Sequence, residues 1–147
     1  MTSKEKKQIL LQYSDIDRHI DELQAELDMW WSRLSGGRLS DMPKGGESDG
    51  TETERAIERI VKIEQQIDDE IDELLIMRHK ILSAINALKD IRERRVLYLA
   101  YVGKDNGDGR IRLKLWQVAN EMHYSLDHVN RLHGMALKHI NLEYAKS

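Results

Sequence analysis

Ile9, Tyr13, Ile16, Ile20, Leu23, Leu27, Trp30 and Leu34 follow one another in steps of 4, 3, 4, 3, 4, 3 and 4. An apolar residue every 3.5 positions draws one seam along a helix and demands a second helix to cover it. The positions between are Asp, Glu, Gln, Arg and Lys, a solvated face. This spacing predicts a coiled-coil helix over about residues 4–34. A second stretch, about 53–101, repeats the pattern through Ile57, Ile60, Ile67, Ile71, Leu74, Ile81, Ile85 and Leu88. Glu64 and Arg78 fall on the same stripe, where they either fix register and oligomer state or snorkel at a loose point.

Between the two stretches the period is lost. Residues 35–50 hold five of the nine glycines and the only proline, which predicts a flexible connector over about 35–52. Thr51 or Thr53 would cap the next helix, and Thr51 has Glu54 at capping-box spacing. Two heptad helices joined this way fold back most simply as a long antiparallel coiled-coil hairpin, residues 1–85. One hairpin has a thin core, so a homo-oligomer through the coiled coil, or docking on the C-terminal helices, is expected. Trp30 and Trp31 are adjacent and cannot share one seam, which leaves one of them for an oligomer or partner contact.

Composition agrees with helices. A third of the residues are charged, Phe is absent and Pro occurs once, so the fold class expected is all-α. No run of 18 apolar residues exists and the first residues are polar, so neither a membrane span nor a secretory signal is expected. Zero cysteines exclude disulfides and Cys-ligated zinc, and fit a cytosolic protein. The net charge of −3 hides an asymmetry: residues 1–85 carry 12 Lys and Arg against 19 Asp and Glu, whereas residues 86–147 carry 11 against 7. Only the C-terminal part would be drawn to a polyanion.

That part offers three chemistries to weigh. Asp105-Asn-Gly-Asp-Gly109 suggests a calcium loop, but with Gly109 sixth the first and twelfth positions are Lys104 and Leu115, where carboxylates are needed. His123, His128, His133 and His139 suggest a metal site, but the steps 128 to 133 and 133 to 139 are five and six, which spreads the rings around a helix rather than gathering ligands, so no metal is expected. They read better as exposed or partly packed histidines near an anionic partner. There is no Gly-rich phosphate loop, no Cys nucleophile and no carboxylate cluster against apolar residues, so neither an enzyme nor a cofactor is expected.

The third chemistry is nucleic-acid recognition. Val118, Ala119 and Met122 give one short helix an apolar face, His123 and Tyr124 break it, and Ser125 stands where an N-cap belongs. Val129, Leu132, Ala136, Leu137 and Ile140 give the next helix an apolar stripe. This is a helix-turn-helix pattern over domain 86–147, and its second helix could enter a major groove of double-stranded DNA. The outward residues of that helix are Asp127, His128, Asn130 and Arg131. Asn pairs with adenine, Arg with guanine, and Asp accepts from cytosine, so the set can read base edges. Arg110, Arg112, Lys114, Gln117, Ser125 and Lys138 flank it and suit phosphate contacts. The competing reading is an amphipathic helical hairpin that faces polar residues outward for solubility alone.

Trp116 to Leu137 resembles region 4 of sigma-70-type factors, in Val118-Ala119, Tyr124-Ser125, Val129 and Ala136-Leu137. The whole chain also resembles small phage and prophage proteins of Gram-positive bacteria, which join a helical hairpin, a Met-Pro-Lys-Gly-Gly connector (Met42 to Gly46) and a terminal His-Val-x-Arg-Leu-His stretch (His128 to His133). The resemblance implies a sequence-specific, DNA-binding transcriptional regulator, similar to those that switch on late phage genes, in the cytoplasm of a bacterial host cell. It brings in RNA polymerase as a further candidate partner. A small-terminase-like packaging subunit, or a protein-interaction module acting on host polymerase or a repressor, are the alternatives.

Overall fold

In a computed structural model, which describes residues 1–36 and 49–145, the chain is mostly helical. The α-helices are α1 (Ser3–Gly36), α2 (Asp49–Asn86), α3 (Ile91–Leu97), α4 (Leu115–Met122) and α5 (Leu126–His139). A π-helical turn, Tyr98–Val102, extends α3, and a 3-10 turn, Glu143–Ala145, follows α5. Two short strands, β1 (Lys104–Asp105) and β2 (Arg110–Ile111), pair antiparallel, Lys104 opposite Ile111 and Asp105 opposite Arg110. No described helix is long and apolar enough to cross a membrane.

Helix boundaries differ from the expected ones in two places. First, α1 runs on through Gly36 and α2 begins at Asp49, so helix occupies the edges of the stretch predicted as connector, and neither Thr51 nor Thr53 is where α2 starts. The segment Met42–Gly46 lies outside the described residues. Second, the helix predicted over 53–101 is two helices. α2 stops at Asn86, Leu88 turns inward, and Asp90 restarts the chain as the N-cap of α3, its carboxylate accepting the Arg92 N–H at 2.8 Å. An Asp at this point satisfies one of the orphan donors of a new helix, which competes with continuing the old one.

The chain forms two compact units, one of Met1–Asp17 with Ile76–Ser147 and one of Arg18–Leu75. In the second, Ile20, Leu23, Ile60 and Ile67 are buried, and His19 meets Glu70 at 2.9 Å. The seam keeps the predicted stripe at Ile60 and Ile67 and departs from it at the start of α2, where Ala56 is buried and Ile57 is exposed.

The first unit has the denser core. Leu10, Ile81, Ile85, Val96, Leu97, Leu99, Val118, Val129 and Leu142 are all but fully enclosed. Leu10 lies off the heptad stripe, beside Ile9 on it, so this end of α1 buries a wider face than a two-helix seam needs. Arg78, the polar intruder on the stripe, pairs with Asp17 across from it. Lys6 donates to the carbonyls of Leu137 at 2.8 Å and Lys138 at 3.3 Å, placing a cation on the orphan carbonyls at the C-terminal end of α5.

Candidate nucleic-acid interface

α4 and α5 pack on each other, and α5 packs on α3. The turn between α4 and α5 is short because His123 adopts the left-handed conformation (φ 61°, ψ 39°), which ends α4, while the Tyr124 N–H returns to the Ala119 carbonyl at 3.0 Å. Only a residue in that region lets the chain reverse within three positions, and a residue with a Cβ is strained there. Ser125 then caps α5 as its sequence position predicts, its hydroxyl accepting the His128 N–H at 3.1 Å. Val129, Leu132, Ala136, Leu137 and Ile140 are buried, as the apolar stripe requires.

The four residues assigned to base edges do not share one fate. Asp127, Asn130 and Arg131 are exposed. Their side chains make no hydrogen bond or ion pair with any described residue. His128 is half-buried, its ring packed edge-on against Tyr124 at a centroid distance of 4.7 Å. It braces the turn as well as facing outward.

The flanking residues assigned to phosphate contacts divide more sharply. Arg110 donates to the Tyr98 hydroxyl at 2.6 Å and lies over that ring; Arg112 donates to the Ala100 carbonyl at 2.9 Å and lies over Tyr101. Both guanidiniums thus tie β2 and the residue after it to the π-helical turn. Gln117 accepts the Lys114 N–H at 2.8 Å, closing the start of α4, and Ser125 is occupied as a cap. The exposed ammonium of Lys138 has no partner among the described residues, and Lys114 is likewise exposed. Cation–π stacking and a backbone carbonyl hold an arginine as firmly as a salt bridge would, and periodicity gives no sign of either.

The β-hairpin explains the long basic connection before α4. Gly103 (φ 107°) lies so close to Ile111 that a Cβ there would come within 2.8 Å of its carbonyl carbon and oxygen. Leu113 then donates its N–H to the Leu99 carbonyl at 3.0 Å. Lys104 reaches Glu121 on α4 at 2.8 Å, and this hydrogen bond holds the Glu121 carboxyl below its usual range. At the tip, the Asp105 side chain accepts the Gly107 N–H and the Asn106 side chain accepts the Asp108 N–H, both ordinary Asx turns. Among the described residues no group of three His, Asp or Glu is placed to hold a metal ion.

Two polar residues that periodicity passes over sit in the core beneath α5. His133 is not an exposed or partly packed ring: it is buried, shares a 2.8 Å hydrogen bond with the Tyr101 hydroxyl and stacks on that ring. Burial first, and the nearby Lys7 charge second, hold its pKa below the ordinary histidine value. A signal was available, since residue 133 is four beyond Val129 and four before Leu137, on the apolar stripe itself. Glu93 is also buried, and both its oxygens lie within 3.1 Å of Nδ1 of the exposed His139, tying α3 to the last turn of α5. No family model, curated protein or solved structure matches the chain.

Proposed function

We propose that the protein binds double-stranded DNA through α5 and acts as a sequence-specific transcriptional regulator. One observation carries this reading. α5 is locked on its inner face by α3 and α4, while Asp127, Asn130 and Arg131 project from its N-terminal half with no partner among the described residues. Exposed, unpaired polar groups on the first turns of the second helix of such a pair are what base-edge readout requires. The phosphate footprint is smaller than composition alone suggests, because Arg110, Arg112 and Gln117 serve the fold. Lys138 and Lys114 remain for it. A modest footprint favours two modules acting together, so the proposal includes a homo-oligomer, whose linked sites raise the effective concentration of the second module.

The likeness to sigma region 4 and a phage setting belong to the same proposal. A protein-interaction module is the second reading, favoured by the exposure of Trp116 (53%) on α4 and Leu126 (45%) on α5.

Selection of duplexes from a randomised pool, followed by affinity measurement at two salt concentrations, tests the first reading. Sequence preference and a fall in affinity with salt are expected. Arg131→Ala should cost about 1–3 kcal/mol and relax preference at one base position. Retention of a protein partner with no enrichment of any duplex selects the second reading instead.

A further inference from the structure

Gly134 occupies the middle of α5, where a glycine weakens a helix relative to alanine. Nothing among the described residues asks for it. Its φ is not positive, and a Cβ built on it meets no described atom beyond its own helix within 4 Å, so neither backbone conformation nor crowding among these residues excludes a side chain. The described residues thus give no reason for a bare backbone, which turns attention to a partner that approaches α5.

Its surroundings point to what approaches. At about 100° per residue, Gly134 falls at the centre of a stripe made by Asp127, Asn130, Arg131 and Lys138. All four are exposed, and none of their side chains has a hydrogen-bond or ion-pair partner among the described residues. The fold thus leaves a ring of acceptor, amide, guanidinium and ammonium groups around a patch of naked helix backbone. That combination suits a partner rich in both hydrogen-bonding edges and anionic oxygens, brought closer to the helix axis than any side chain at 134 would allow.

We infer that Gly134 is the point of closest approach between α5 and duplex DNA, seating the helix deep enough in the groove for Asn130 and Arg131 to reach base edges. This rests on the DNA-binding reading above. A methyl group at 134 holds the duplex off by its own radius, which lengthens every hydrogen bond around it at once.

The test is Gly134→Ala and Gly134→Gln in the full chain, each measured for thermal midpoint and for affinity to a duplex selected from a randomised pool by the unaltered protein. The inference expects Gly134→Ala to raise the midpoint while weakening binding about tenfold or more, and Gly134→Gln to weaken it further. Equal affinity of Gly134→Ala and the unaltered protein overturns the inference and leaves the DNA-binding reading standing. A lowered midpoint for Gly134→Ala also overturns it, since the fold would then need the glycine. Failure of the unaltered protein to enrich any duplex removes the DNA-binding reading and this inference with it.

Discussion

His19 and His133 sit in the two compact units and respond to their surroundings in opposite directions. In the unit Arg18–Leu75, His19 is only half-buried on α1 and its pKa is raised, chiefly by its hydrogen bond to Glu70. In the other unit, His133 is enclosed beneath α5 and its pKa is lowered, chiefly by burial. The contrast extends beyond the two rings. In the Arg18–Leu75 unit Leu27 and Trp30 are only half-buried, and the polar contact between helices is a solvent-facing pair. In the other, Leu97, Val118 and Val129 are enclosed, and polar groups as buried as Glu93 have partners of their own. A two-helix seam can exclude water from one stripe only. Packing α3, α4 and α5 together excludes it from whole side chains, and then every polar atom inside needs a named partner.

The largest effect should separate the two cores directly. Leu97→Ala removes a fully enclosed side chain and should cost about 2–5 kcal/mol in urea denaturation, whereas Leu27→Ala, half-buried, should cost about 1 kcal/mol. Equal costs would break the comparison. Next, Tyr101→Phe strips the partner from buried His133 without altering shape. A loss of about 1–3 kcal/mol is expected, and a neutral result would mean the ring is satisfied without the hydroxyl. A smaller gain should come from His123→Gly, which relieves the left-handed residue in the turn. An increase of about 1 kcal/mol in unfolding free energy is expected, and a decrease would show that the His123 side chain contributes something the turn needs.

The finest test is pH. Because the folded pKa of His133 lies below the unfolded value of about 6.5, its contribution to stability is complete above that pH. It is lost as pH falls through the folded pKa, when a proton must enter a buried site. His133→Phe should flatten the acid limb of a stability-against-pH curve. His19 has the reverse sign: its contribution is complete below pH about 6.5 and is lost as pH rises through its raised folded pKa. Because the pair with Glu70 faces solvent, it should matter little and vanish in high salt. An acid limb as steep in His133→Phe as in the unaltered chain would undo the contrast.

Much of the local architecture is legible in the sequence. The heptads of α1 place Ile9, Tyr13, Ile16, Ile20 and Leu23 inside, and Ser125 caps α5 where its spacing puts it. The exposure of Asp127, Asn130 and Arg131 follows from the stripe opposite them. What resists reading is the use made of the basic residues. Arg110 and Arg112 look identical in sequence to cations waiting for phosphate, yet both are held within the fold by Tyr98, Tyr101 and a backbone carbonyl. Their partners lie 12 residues away, across a hairpin that alternation of two residues per strand barely announces.

The sequence by itself determined the helical period of α1 and α2, the cap and turn between α4 and α5, and the apolar stripe that decides which face of α5 is free. These are local properties, settled by spacings of three and four residues and by the hydrogen-bonding reach of one side chain. Tertiary structure alone decided that Lys6 closes the end of α5 from 131 residues away, that Tyr101 is the partner of His133, and which cations remain unspent. Such pairings depend on where whole elements come to rest, and no periodicity along one helix carries that information. The glycine at 134 stands between the two: its place on the stripe is read from spacing, and the empty space beside it only from the fold.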